Sequence, residues 1–257
     1  FDDAQPIRAA QEAAKSFVRR MRARFDQVAF VQYATDSSIS RELNCVWQRD
    51  VPPVEYGLGV WDPEEGPDHA WVWCFDHRDG TGGYEGLPSE DLKDGSVIYA
   101  IESMVPEVWT NIAKGMDNGI QVLQGGSGHY GRPYAARYII LLTDGVPNRW
   151  PDYNKGKGDH ECHTGDSKDL WPAEGYEDAS KTEDEAKGRD CTIYYADQAK
   201  TKGIAVFTIG LGVNVDHDLL TEVAARTGGS YFAVTSGEEL NAAFEEIANR
   251  MILRLVE

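Results

Sequence analysis

The run Arg137 to Thr143 (RYIILLT) restricts the fold of this chain more than any other segment. It is nearly continuous in apolar residues, without polar alternation, and it stops abruptly at Asp144-Gly145. A strand that is apolar on both faces belongs in the interior of a parallel sheet covered by helices on each side. Ile204 to Ile209 repeats the pattern, and Gln27 to Tyr33 (QVAFVQY) also reads as a strand, followed by an edge strand over Ile39 to Leu43. Helical spacing links Ile7, Ala10, Ala14, Phe17, Val18 and Met21 in a helix over 5–24. The same spacing links Ile112, Met116, Ile120 and Leu123 in a helix opened by Thr110, and Leu240, Phe244, Ile247 and Met251 in a closing helix over 238–253. Shorter helices are expected over Ser96 to Met104, Thr192 to Lys202, and Leu219 to Arg226, the last capped by Asp216 and stopped by Gly228. A last short strand spans Ser230 to Val234. Strands alternating with helices give an α/β fold, with a doubly wound, mostly parallel sheet and helices on both faces. The order begins on a helix, whereas such sheets ordinarily begin on a strand.

Two stretches lack either periodicity. Residues 46–94 carry many Gly, Pro and acidic residues and four of the seven tryptophans; residues 148–190 are acidic and rich in Gly and Lys. Both read as loop insertions in a single domain over 1–257. Trp47, Trp61, Trp71 and Trp73 form either the small core of the first insertion or a carbohydrate- or protein-binding surface. None of the four cysteines lies in a C-x-x-C pair. The spacing favours Cys45 with Cys74 and Cys162 with Cys191, since each pair brackets one insertion; the alternative is four buried thiols. Disulfides would place the chain in an oxidising compartment.

The chain holds 43 acidic against 25 basic residues, a net charge of −18. Such a surface repels phosphate backbones and anionic lipid, which argues against nucleic acid as a partner. No run approaches the roughly 18 to 20 apolar residues that cross a bilayer. The chain opens at Phe1 without a Met, as expected of a processed or trimmed piece.

In an open parallel sheet, ligands gather beyond the carboxyl ends of the strands. Asp144 follows the central strand, and Thr110 opens the helix before it. A hydroxyl and a carboxylate on neighbouring loops make a hard-oxygen pair, suited to Mg²⁺, Mn²⁺ or Ca²⁺. His160-Glu161-Cys162-His163 is too tightly spaced for a tetrahedral zinc site. Gly210-Leu211-Gly212 lacks the third glycine of a dinucleotide loop, and no P-loop motif occurs.

The sequence Leu141-Leu142-Thr143-Asp144-Gly145, with Thr110-Asn111-Ile112 before it and Thr208-Ile209-Gly210-Leu211-Gly212 after it, resembles the von Willebrand factor type A (VWA) family. Gln11 to Val18 followed by Val28-Ala29-Phe30-Val31 is similar as well. The resemblance covers 5–43, 96–147 and 191–252, and lies nearest to bacterial secreted or surface VWA proteins of the TadG-like, Tad-pilus-associated kind. It implies a Rossmann-like fold with a metal-ion-dependent adhesion site (MIDAS) built from three loops, of which Thr110 and Asp144 supply the second and third. The first, D-x-S-x-S after the first strand, is absent, and Val108-Trp109 stands where the family has Gly-Gly. By family topology the missing strand lies between Gln27–Tyr33 and Arg137–Thr143, supplied by an upstream segment or by another chain, unless an atypical fold closes the gap. The resemblance further implies an extracellular, cell-surface or pilus-like adhesion or assembly module rather than an enzyme. Its protein ligand or appendage subunit would supply an acidic residue to the metal, with Trp109, Trp61, Trp71 and Trp73 as candidate contacts. The competing readings are a metal-dependent hydrolase and an intracellular VWA subunit of an ATPase-linked complex.

Overall fold

The structure is a computed structural model, and it describes residues 5–21, 26–34, 36–44, 97–104, 109–124, 134–151, 162 and 183–253. The insertion 46–94, with the expected Cys45–Cys74 pair and Trp47, Trp61, Trp71 and Trp73, lies outside these residues, as do 152–161 and 163–182 of the second insertion. The elements run α1 (Gln5–Arg20), β1 (Val28–Tyr33), β2 (Ser37–Asn44), α2 (Val97–Glu102), α3 (Ile112–Gln124), β3 (Arg137–Thr143), α4 (Glu183–Thr201), β4 (Ile204–Leu211), α5 (His217–Thr227), β5 (Tyr231–Val234) and α6 (Gly237–Leu253).

Strands β3, β4 and β5 form a parallel sheet in that order, with Arg137 opposite Ile204 and Thr143 opposite Gly210. The two-residue side-chain period of a strand sends alternate residues of β4 to opposite faces. Phe207 and Ile209 join a core with Phe17 of α1, Ile101 of α2 and Phe244 of α6. Ile204 and Val206 join a second core with Met116 of α3, Ala196 of α4 and Leu220 of α5. Apolar clusters thus cover both faces, which is why β4 carries no polar alternation and is buried from Ile204 to Gly210.

β1 and β2 pair antiparallel, with Val31 opposite Ile39 and Tyr33 opposite Ser37. They form a separate two-stranded sheet: among the described residues no strand joins β1 to β3. The single sheet expected from the sequence is therefore present as two pieces. The division shows in burial, because β3 is half-buried along Arg137 to Ile140 although its composition matches that of buried β4.

Local capping follows the sequence. Asn111 Oδ1 accepts the Lys114 backbone N–H at 3.0 Å and starts α3; Asp216 Oδ1 accepts that of Leu219 at 3.0 Å and starts α5. Gly228 ends α5 in the left-handed region at φ 78°, where a side chain would be strained. The helix expected from Thr192 instead begins at Glu183. Gly188, which composition assigns to loop, lies inside it because a Cβ there would come 3.0 Å from the Pro147 carbonyl. The glycine permits a close backbone crossing.

Cys162 and Cys191 form a disulfide, which fastens residue 162 to α4. Beside it, burial pushes the Asp190 carboxyl up to about 6, opposed by the neighbouring Arg189. A carboxyl raised above its ordinary value of 3.8 contributes stability that is complete below that value and is lost as pH rises towards 6. Asp190→Asn is therefore expected to stabilise the fold at neutral pH by about 1 kcal/mol, allowing for solvent screening of this half-buried group. Thermal melts of the two chains should converge below about pH 4, and a gain that persists there would contradict the assignment.

Candidate functional site

The loops of Thr110 and Asp144 meet at the carboxyl end of β3. A Cβ on Gly145 would lie 3.0 Å from Thr110 Oγ1, so the Asp144-Gly145 turn rests directly against the Thr110 hydroxyl. Asp144 is exposed and Thr110 half-buried. The Thr143 hydroxyl closes the turn, donating to the Gly145 carbonyl at 3.1 Å and accepting its N–H at 3.3 Å.

The Thr110 backbone is clamped from the next loop. Its N–H donates to Asn148 Oδ1 at 2.9 Å, and its carbonyl accepts the N–H groups of Asn148 and Arg149 at 3.0 and 3.2 Å. Three hydrogen bonds fix the residue that precedes the Asn111 cap, so the Thr110 side chain leaves from an ordered backbone. Trp109 is 43% exposed. The Arg149 guanidinium stacks over its ring, 3.5 Å from the centroid, in a cation–π contact. Arg149 also pairs with Asp184 at 3.6 Å, which ties this loop to the start of α4.

Tyr33, at the end of β1, was not marked by the sequence as part of the site. Its hydroxyl donates to the Leu142 carbonyl at 2.6 Å, bridging the space between β1 and β3. Loss of solvent around the hydroxyl, with the negative charge of Asp144 nearby, holds the phenol in its protonated, donating form well above the usual range. Its ring sits where a Cβ on Gly115 would come 2.7 Å from Tyr33 Cδ1. The available signal was a glycine in the middle of an otherwise good helix, which marks close approach.

Oxygen donors of the right hardness for a divalent cation are present in Thr110 and Asp144. Mg²⁺ or Ca²⁺ takes about six to eight oxygens, waters included. The Thr143 hydroxyl is engaged by Gly145 and by Tyr33, so Thr110 and Asp144 fit part of a shell. Among the described residues no group of three or more His, Cys, Asp or Glu is placed to hold a metal. His160, Glu161 and His163 lie outside the described residues.

No family model matches the sequence, and no curated protein matches it. Solved structures do resemble it. The PilB minor pilin from Streptococcus sanguinis has a TM-score of 0.54 at 17% identity, covering 95% of this chain and 54% of that one. Proximal thread matrix protein 1 from the mussel byssus has a TM-score of 0.53 at 14% identity, over 95% of this chain and 42% of that one. The same thread protein with a zinc-occupied MIDAS motif gives 0.53 at 15%, over 96% and 43%. The chain thus spans about half, or less, of these chains. Identities this low establish the fold alone, and that fold is VWA-like.

Proposed function

We propose that the chain is an extracellular adhesion or assembly module, binding a protein ligand through a divalent cation held at Thr110 and Asp144, and that it binds its ligand rather than transforming it. The carrying observation is that the Thr110 hydroxyl, on a backbone fixed by Asn148, lies against Gly145, the residue next to Asp144, at the carboxyl edge of the sheet. The donor types favour Mg²⁺, with Mn²⁺ and Ca²⁺ as close competitors. The Cys162–Cys191 bridge supports an oxidising compartment, hence the cell surface or a secreted, pilus-like assembly. The minor pilin and the thread matrix protein are components of extended assemblies by name, and one carries zinc in its MIDAS motif, which is consistent with this reading. Remaining ligands come from water, from an acidic residue of the partner, and from residues outside those described. Trp109, exposed beside Thr110, is the aromatic contact such a partner would meet.

Calorimetric titration of the full-length natural polypeptide with Mg²⁺ and Mn²⁺ tests this. Thr110→Ala and Asp144→Ala should each weaken binding by about tenfold or more, equivalent to about 1.4 kcal/mol. Binding unchanged in Asp144→Ala, or absent from the unsubstituted protein, rejects the reading.

A further inference from the structure

We propose that Asn148 and Arg149 are positioning residues for Thr110, and that α4 fixes where they stand, so that a helix outside the Thr110–Asp144 pair sets the cation affinity of the site. In that effect on the cation the inference rests on the proposed function; the path from α4 to Thr110 does not depend on it. Asp184, Lys187, Gly188 and Cys191 stand at i, i+3, i+4 and i+7 of α4 and so share one face of it. In place of an apolar stripe, that face offers a carboxylate, an ammonium, a bare backbone and a sulfur. Each is met by the chain between Pro147 and Cys162.

The closest of these meetings is backbone against backbone. A Cβ on Gly188 would come 3.0 Å from the carbonyl carbon and oxygen of Pro147 and 3.1 Å from the carbonyl oxygen of Arg149. The loop therefore lies directly on the helix and must move if that space is filled. Arg149 pairs with Asp184 at 3.6 Å, and the Lys187 ammonium lies 5.2 Å from the centre of the Trp150 ring. Cys191 holds Cys162 by the disulfide, and both join the same apolar core as Trp150. Pro147, Arg149, Trp150 and Gly188 are all buried, so this seam lies in the interior.

The other side of the same loop carries Thr110. Thr110 precedes the Asn111 cap and stands outside the hydrogen-bond ladder of α3, which begins at Ile112. Its N–H donates to Asn148 Oδ1, and its carbonyl accepts the N–H groups of both Asn148 and Arg149. The Arg149 guanidinium, stacked on Trp109, holds the preceding residue as well. A shift of the loop at Gly188 is thus a shift of the backbone from which the Thr110 hydroxyl leaves. Supports one layer behind a metal ligand are worth about ten- to a hundredfold in metal affinity, because they hold the ligand where the ion needs it.

Residue-resolved amide hydrogen exchange at Thr110, referred to the amides of β4 as a gauge of global stability, tests the inference on the full-length natural polypeptide, alongside calorimetric titration with Mg²⁺. Gly188→Ala gains helix propensity, so a general loss of stability is not what it reads. In this variant Thr110 should exchange about tenfold faster relative to β4, and Mg²⁺ binding should weaken about tenfold. Asp184→Ala, which reaches the loop through Arg149, should speed Thr110 exchange about threefold, and decides the matter if Gly188→Ala does not fold. Asn148→Ala should also expose the Thr110 amide, and Asn148→Asp, which keeps the acceptor, should restore its protection. Thr110 exchange unchanged relative to β4 in Gly188→Ala and Asp184→Ala overturns the proposal, since α4 then only packs against the loop. Absence of Mg²⁺ binding in the unsubstituted protein rejects the metal reading, and the Thr110 amide still decides the coupling.

Discussion

Gly229→Ala is expected to destabilise the fold by about 3 kcal/mol or more, lowering the melting temperature by roughly 6 to 12 °C. A Cβ at this position would lie 1.9 Å from the carbonyl oxygen of Val206 and 2.5 Å from its carbon. Both belong to the buried middle of β4 and cannot swing aside as a side-chain end can. Relief requires moving either the central strand or the turn after α5, where the Gly229 N–H also donates to the Ala224 carbonyl at 2.9 Å. Gly212→Ala is the matched control. Gly212 has φ 87° with nothing within 4 Å of the added carbon, so it carries backbone strain alone, about 1 kcal/mol. Denaturant unfolding of both variants checks the pair; equal losses would show that steric contact with β4 is not the cause.

Asp216→Ala should cost a comparable or larger amount, about 4 kcal/mol, for a different reason. The buried carboxylate accepts Arg189 Nη1 at 2.9 Å while capping α5 through Leu219. Its removal takes a buried carboxylate from the Arg189 guanidinium, itself buried, whose pairing with the more exposed Glu222 at 3.2 Å is left in place. Asp216→Asn preserves the cap and loses the charge, so it should fall between the wild type and the alanine variant. Adding Arg189→Met to Asp216→Asn should recover part of the loss, because the buried guanidinium that Asp216 neutralises is then gone. A double-mutant cycle measures the coupling. Additive losses would mean that the pair contributes through packing rather than charge.

Most elements of the fold were legible because their signals are local. RYIILLT has no polar residue between Tyr138 and Thr143, and it forms β3; Asp216 and Gly228 stand at the ends of α5 as cap chemistry requires. The start of α4 was hidden because its early turns are polar and contain Gly188, whose purpose is contact with Pro147 and Arg149, distant in sequence from it. Tyr33 was hidden for a related reason. Its role depends on Gly115 of α3 and on the Leu142 carbonyl, neither near it in the chain. The positions of Thr110 and Asp144 at a helix start and a strand end were legible, and the Gly145 contact brings their loops together. The separation of β1 from β3 was not legible in either strand, and came only as an implication of the family resemblance.

The Cys162–Cys191 bridge has a kinetic side as well. Pairing Arg137 with Ile204 closes a chain path of 67 residues (204 less 137), the longest closure in the parallel sheet. The bridge spans 29 of these residues and lies wholly within that path, leaving roughly 38 to be closed once it has formed. Shortening a flexible path by somewhat less than half lowers the entropic cost of closure by about 0.5 kcal/mol. The cross-link is thus a shortcut between β3 and β4 for a chain in which it has already formed.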